Sequence, residues 1–237
     1  MEWFREWFGP LYEEIYVHRD PAEARVQVGA LLARTGIPPL PVLDAGCGGG
    51  RHLGILRERG CRAFGLDLSA HLLGLAVRSG PVVRADLRWP PVRPASLGMV
   101  AAFFTVFGYL DSEEDDLAML SSLADLIAPE GYLYLDLPDP QHVRTSLVPR
   151  DETVRDGMKV VQERWIEGGQ VHKSISVKRD DANAEQYLER VRLWELEDIE
   201  AEAERRGLRT VARFGHADGR EWCPGSPRMA CLWRKIG

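Results

Sequence analysis

The sequence predicts a doubly wound α/β fold built on a mostly parallel sheet. Three observations carry that expectation. Strand-like and helix-like segments alternate five times between Leu40 and Leu137. A glycine loop, Gly46-Cys47-Gly48-Gly49-Gly50, joins the first strand to the first crossover helix. Aspartates stand at the ends of the first three strands, at Asp44, Asp67 and Asp86. Repeated strand–helix alternation means βαβ units with right-handed crossovers. The 237 residues suffice for one domain with a large core, and the 45% hydrophobic and 28% charged content is ordinary for a globular chain.

Residues 1–35 read as helices. Trp3, Trp7, Leu11 and Ile15 recur every four positions, as do Phe4, Phe8, Tyr12 and Tyr16, and Gly9-Pro10 interrupts the stripe. Trp3, Phe4, Trp7 and Phe8 are expected to pack on the core. Tyr12 and Tyr16, each with a flat face and a hydroxyl, suit a lid over a ligand. Asp20 is expected to cap a second helix that starts with Pro21 and stops at Gly36. The first strand is placed at 40–43, and its crossover helix at 52–59. The second strand is 61–66, followed by a helix capped by Ser69. Val82-Val83 is a short third strand. Residues 97–104 form a continuous apolar fourth strand, as expected where both faces are buried. Asp111-Ser112-Glu113-Glu114 opens a helix with acids at its positive end. Pro129-Glu130-Gly131 reads as a turn, and 132–137 as the fifth strand.

Past Pro138 the period changes. Val154 and residues 159–166, 171–178 and 187–193 alternate like half-exposed antiparallel strands, with Gly168-Gly169 as a hairpin turn. Residues 196–206 return to helix, and 208–214 with 228–233 form a terminal hairpin. The expected organisation is a single domain: a helical lid at 1–35, a core of 36–145 and 195–237, and an antiparallel β cap inserted at 146–194.

The net charge of −6, without a basic tract, argues against nucleic acid held mainly through phosphates. No apolar run is long enough to span a bilayer, and the acidic, aromatic start is unlike a signal peptide, so the cytoplasm is the expected location. Cys47, Cys61, Cys223 and Cys231 show no CxxC spacing. Neither a metal site nor a disulfide framework is expected.

In an open parallel sheet, ligands bind beyond the carboxyl ends of the strands. The loop after the first strand must turn sharply and let a ligand lie on bare backbone, which glycine permits. The next helix offers free N–H groups to a phosphate or to an amino-acid carboxylate. Gly46 and Gly48 match the first two positions of the dinucleotide fingerprint, but Arg51 occupies the third. Asp44, just before the loop, would oppose a phosphate yet could serve an ammonium group, directly or through water. Asp67 can accept both ribose hydroxyl protons. Asp86 can accept from an adenine amino group, with Leu68 and Leu87 against the ring. Together these features describe a site for an amino-acid nucleoside.

At these positions the chain resembles the class I S-adenosylmethionine-dependent methyltransferases. The resemblance is strongest over 42–50, Phe64-Gly65-Leu66-Asp67-Leu68-Ser69 and Leu126-Ile127-Ala128-Pro129-Glu130-Gly131. Phe104-Thr105-Val106-Phe107-Gly108-Tyr109-Leu110, Gly215-His216-Ala217-Asp218-Gly219 and Ser226-Pro227-Arg228 are similar to a small-molecule branch (methyltransferase type 11/25-like). Members of that branch often carry a small antiparallel cap after strand five. The resemblance implies a Rossmann-like seven-stranded sheet with an antiparallel last strand, and S-adenosyl-L-methionine as cofactor. It implies cofactor contacts from Asp44, Gly46, Gly48, Asp67, Leu68, Asp86, Leu87 and Phe104. Cys47 within the loop and Tyr16 on the lid complete the expected set. Gly49, Gly98 and Glu130 depart from the common pattern.

The implied reaction is in-line methyl transfer to an O, N or C atom of a small molecule. Positioning dominates such a reaction, and a general base is optional for a neutral amine. The substrate-side candidates are His18, Tyr109 and His142. Thr105, Phe107 and Asp139 stand near them, and Arg19 or Arg51 could hold an anion. A monomer or homodimer is expected. Three alternatives remain open from the sequence: a nucleic-acid or protein methyltransferase, a NAD-dependent oxidoreductase, and a non-catalytic cofactor-binding protein.

Overall fold

The computed structural model describes residues 2–16, 21–179 and 183–237. Two sheets organise it. The larger has seven strands: β1 (Val42–Ala45), β2 (Ala63–Asp67), β3 (Val82–Arg84), β4 (Leu97–Ala102), β5 (Ile127–Pro138), β10 (Leu208–Phe214) and β11 (Arg228–Lys235). Their order across the sheet is β10-β11-β5-β4-β1-β2-β3. Strand β11 lies between β5 and β10 and is antiparallel to both; β1 to β5 pair in parallel. The smaller sheet is fully antiparallel: β6 (Arg150–Arg155), β7 (Met158–Glu167), β8 (Gln170–Arg179) and β9 (Glu185–Arg192).

Both faces of the large sheet are buried at its central strands β1 and β4, as their apolar composition requires. Val42, Met99 and Ala101 point to one face, where α3 (Pro21–Thr35) and α4 (Arg51–Glu58) pack through Ala24, Val28, Leu31, Leu53 and Leu56. Leu43, Val100 and Ala102 point to the other, under α6 (Glu113–Asp125) and α8 (Leu196–Arg205). This is the two-residue period of a pleated strand read on two sides. Helix α5 (Ala70–Ala76) begins at Ser69, whose hydroxyl accepts the Leu72 amide at 3.1 Å. Ser112 caps α6 in the same way through Asp115.

The N-terminal stripe folds as two short helices, α1 (Phe4–Trp7) and α2 (Pro10–Ile15), broken where Gly9-Pro10 stands. Trp7 is 1% exposed, and Trp3 and Phe4 are also buried. The expected cap at Asp20 lies outside the described residues.

Three local expectations are corrected. Pro129-Glu130-Gly131 is not a turn before β5 but lies within it. The β4–β5 register slips between Leu97/Ile127 and Met99/Tyr132, so the extra residues bulge, with Glu130 at φ +67°. A further short helix, α7 (Pro140–Ser146), follows β5, capped by Asp139 with proline at its first position. Strand β6 begins at Arg150, well before Val154, and a tight Asp156-Gly157 hairpin joins it to β7, both residues at positive φ. Gly168 and Gly169 make the next hairpin turn, as expected.

The strand order reverses between β1, which leads on to β2 and β3, and β4, which leads to β5. That switch point opens a crevice at the carboxyl ends of these strands. Among the described residues no helix is long and apolar enough to cross a membrane.

Candidate active site

A cavity of about 730 Å³ occupies that crevice. Its floor is the glycine loop. Gly46, Gly48 and Gly50 adopt φ of +70°, +51° and +83°. At Gly46 a Cβ would stand 2.5 Å from Val106 Cγ1, and at Gly50 it would stand 3.0 Å from Ala76 Cα and Cβ. Both backbone sign and space therefore demand glycine. Helix α4 starts directly after Gly50, with its first N–H groups at the cavity.

Asp67 ends β2 on the cavity wall. Its Oδ2 accepts the Gly48 amide at 2.9 Å and its Oδ1 the Ser69 amide at 2.8 Å. Burial raises its pKa, opposed by those amides. Leu68 and Leu87 line the cavity beside it. Asp86 lines the cavity too, but its carboxylate is already engaged. Arg88 donates to it through Nε at 3.0 Å and NH2 at 2.6 Å, and Arg5 reaches it at 3.4 Å. Burial would raise the Asp86 pKa; the Arg88 bonds outweigh it and hold the value low. Arg88 also pairs with Glu2 at 2.6 Å, so Asp86 helps moor the N-terminal lid, a partner that spacing along the chain did not suggest.

Asp44 lies elsewhere than expected. It does not line the cavity but is buried behind the glycine loop, 1% exposed. One oxygen accepts the Leu53 amide in the first turn of α4, while Oδ2 has no hydrogen-bond partner. Burial, then the nearby Asp67 carboxylate, pushes its pKa up to about 7. The folded value lies above the ordinary 3.8, so the folded chain keeps this proton to higher pH than the unfolded chain. Its contribution is therefore a stability penalty that grows as pH rises from about 4 to about 7, on the order of 4 kcal/mol in full. Ligand-free Asp44→Asn should gain melting temperature relative to the parent at pH 8, and the gain should shrink steadily towards pH 4. A pH-independent difference between the two melting curves would refute this reading.

Cys47 is turned away from the cavity centre. Its sulfur packs where a Gly65 Cβ would stand, and burial raises the thiol pKa. His52 is a cavity-wall residue that motif reading passed over because it follows the glycine loop as an ordinary helix residue. Its Nε2 lies 3.1 Å from Gln27 Oε1 and its ring stacks on Phe103 at 4.2 Å. Burial, reinforced by Arg51, lowers its pKa to about 3, so it stands neutral.

The lid covers the cavity with Phe4, Phe8, Tyr12 and Tyr16. Phe4 and Phe8 thus face the ligand space as well as the core. Ser69 Oγ donates to the Phe8 carbonyl at 2.6 Å, and Glu13 meets His71 at 2.8 Å, fixing the lid to the start of α5. The Tyr16 hydroxyl meets Lys173 of β8, and the Trp7 indole donates to Glu189 of β9, so the lid is also tied to the small sheet. Opposite, Phe104, Thr105 and Tyr109 follow β4, with Tyr109 packed against Trp3 at 5.0 Å and Phe8 at 6.0 Å. Phe107 is fully buried core.

Of the substrate-side candidates among the described residues, Tyr109 lines the cavity wall and His142 does not. His18 and Arg19 lie outside the described residues. His142 is displaced from the site because α7 carries it away: its amide is capped by Asp139 at 2.7 Å and its Nδ1 contacts the Gly225 carbonyl at 3.2 Å. The four cysteines are free, and among the described residues no group of three or more His, Cys, Asp or Glu could hold a metal ion.

A left-handed glycine turn at the switch point, an acid at the end of the second strand and an apolar residue after the third line one cavity at the carboxyl ends of a Rossmann-like sheet. The chain belongs to the methyltransferase-domain family, whose model matches residues 16–213. It is 31% identical over 123 residues to a dTDP-3-amino-3,6-dideoxy-alpha-D-glucopyranose N,N-dimethyltransferase from Streptomyces fradiae, covering 50% of this chain and 46% of that protein. It is 29% identical over 114 residues to a ubiquinone biosynthesis O-methyltransferase from Xanthomonas campestris, covering 46% and 48%. The chain thus spans about half the length of the curated relatives it matches. A crystal structure of an S-adenosylmethionine-dependent methyltransferase from Clostridium acetobutylicum superposes with a TM-score of 0.77 over 96% of this chain and 97% of that one, at 16% identity. The cofactor of this class is S-adenosylmethionine, and the residues present fit it. The loop presents bare backbone to the cavity at Gly48 and Gly49, where the nearest atoms to an added Cβ stand 3.8 and 3.9 Å away, and behind it lies the unpartnered Asp44 oxygen.

Proposed function

We propose that this chain is a methyltransferase that moves a methyl group from S-adenosylmethionine to an oxygen, nitrogen or carbon of a small molecule. One observation carries the proposal: a single cavity joins the glycine loop, Asp67 and Asp86 to an aromatic lid. When bound, S-adenosylmethionine supplies an electrophilic methyl for in-line displacement. In this reading the loop amides and the start of α4 take the amino-acid carboxylate, and the ammonium is balanced by Asp44 through the loop. Asp67 takes the ribose hydroxyls. Asp86, Leu68 and Leu87 flank the adenine, and Cys47, Tyr16 and Phe104 complete the enclosure.

Phe8, Tyr12, Tyr16, Phe104 and Tyr109 would exclude water and tolerate the cationic donor on their ring faces. Tyr109 is the acceptor-side residue of choice. The only described histidine on the cavity wall, His52, is buried, neutral and hydrogen-bonded, which suits an acceptor needing little general-base help, such as a neutral amine. The similarity to a sugar N,N-dimethyltransferase supports the same choice. We assign the lid to α1 and α2; α3, expected within a lid of 1–35, packs on the large sheet with the core of 36–145 and 195–237, and the cap is 146–194. A monomer or homodimer in the cytoplasm accords with four unpaired cysteines.

Calorimetry with S-adenosylmethionine, S-adenosylhomocysteine and NAD tests the donor: the first two should bind at low-micromolar or tighter affinity and NAD not at all. Binding of NAD alone would overturn the proposal. Labelled methyl offered to amines, alcohols, nucleic acid and protein then identifies the acceptor class, with transfer to small amines expected.

A further inference from the structure

The loop after β4 is held in an unfavourable conformation by a buried charge pair that lies outside the cavity. Phe104 and Thr105 both have φ of +58°. Neither is glycine, and Thr105 is β-branched, so two consecutive left-handed residues here need support from their surroundings. The support comes from β5 and β11. Asp136, 1% exposed, accepts the Phe104 amide at 2.9 Å through Oδ2, while its backbone carbonyl accepts the Thr105 amide at 3.0 Å. Arg228 donates from Nε to Asp136 Oδ1 at 2.8 Å, and from NH2 to Thr105 Oγ1 at 2.7 Å and the Asp136 carbonyl at 3.2 Å. Gln27 of α3 donates to Asp136 Oδ2 at 2.8 Å and accepts at 3.1 Å from His52 of α4. The Phe104 ring, on the cavity wall, has the Arg51 and Arg228 guanidiniums 5.3 and 5.7 Å from its centroid.

We infer that Asp136 and Arg228 are positioning residues for the cofactor site: they hold Phe104 and Thr105 in the left-handed shape that forms the cavity wall. The pair is charged and buried on one side, far costlier to keep than an apolar pair unless its geometry is used. Every polar contact it makes with the loop fixes one of the two strained residues. It also links the β4 loop through Gln27 to His52, at the start of the helix that follows the glycine loop. Both walls of the cofactor cleft are thus set by one buried network.

The inference rests on the proposed cofactor use, and the test separates the two. Asp136→Asn preserves shape but cannot satisfy the three donors to its carboxylate, the Phe104 amide, Gln27 and Arg228. Whichever way the amide faces, an N–H opposes either Arg228 or the Phe104 and Gln27 donors. Calorimetry with S-adenosylhomocysteine is run on the parent, Asp136→Asn, Thr105→Gly and the double variant, alongside thermal melts. Asp136→Asn should bind at least about tenfold more weakly. Because glycine adopts positive φ freely, the double variant should recover part of that loss, the share due to Thr105, while its melting temperature stays low. Affinity of Asp136→Asn within twofold of the parent overturns the inference. So does a loss of affinity that Thr105→Gly leaves unchanged, since Asp136 would then serve core stability alone. If the parent itself fails to bind S-adenosylhomocysteine, the functional proposal falls, and the positioning role falls with it.

Discussion

Asp67→Ala should weaken binding of S-adenosylhomocysteine at least about 100-fold, which corresponds to a loss of about 2.7 kcal/mol. Two effects add. The carboxylate accepts the Gly48 and Ser69 amides at 2.9 and 2.8 Å, so it shapes the glycine loop before any ligand arrives. Alanine leaves those donors without an acceptor in a mostly buried place, at roughly 1–3 kcal/mol for each buried group left unsatisfied. The second effect is loss of the charged acceptor for ribose hydroxyls, worth about 1.5–3 kcal/mol per hydrogen bond to a charged group. Asp67→Asn keeps one acceptor oxygen and should fall between parent and alanine. Calorimetry on both variants checks this ordering. Alanine binding within threefold of the parent would remove Asp67 from the site.

Gly46→Ala should destabilise the fold and abolish cofactor binding together. At φ of +70° an alanine carries about 1–2 kcal/mol of left-handed strain. Its Cβ would also sit 2.5 and 2.7 Å from the two Val106 methyl carbons, a contact that only displacement of Val106 relieves. Such overpacking adds about 1–3 kcal/mol. For a chain of this size the sum corresponds to a fall in melting temperature of roughly 5–15 °C. The partner test is Gly46→Ala combined with Val106→Ala. It removes the clash but not the dihedral strain, so about half of the lost stability should return. Full recovery would show that φ is unimportant here; no recovery would show that Val106 is not the obstacle.

The glycine loop, Asp67 and the strand–helix alternation were legible in the sequence because their causes are local. A turn needs residues that tolerate positive φ, a strand buried on both faces is a run of apolar residues, and Ser69 and Ser112 cap the helices that immediately follow them. The bulge at Glu130 was read as a turn because Pro-Glu-Gly has the same local chemistry in both settings. Only pairing with β4 decides between them. His142 looked available because it follows β5, yet the Asp139 cap starts a helix that carries it off the wall. Asp86 looked free for adenine, yet Arg88 and Arg5 converge on it from the next residues and from α1.

By itself the sequence determined the layered α/β architecture, the left-handed glycine turn and the acid on β2, because spacing along one strand or one turn specifies them. Tertiary structure alone decided that Asp44 lies behind the loop rather than in it, that the aromatic lid is fastened to both α5 and the small sheet, and that Asp136 and Arg228 meet at Thr105. Those pairings join residues 30 to more than 100 positions apart. Nothing in local sequence encodes which of many arginines and acids will meet. Burial makes the choice, since a charge left in the core without its partner costs several kcal/mol.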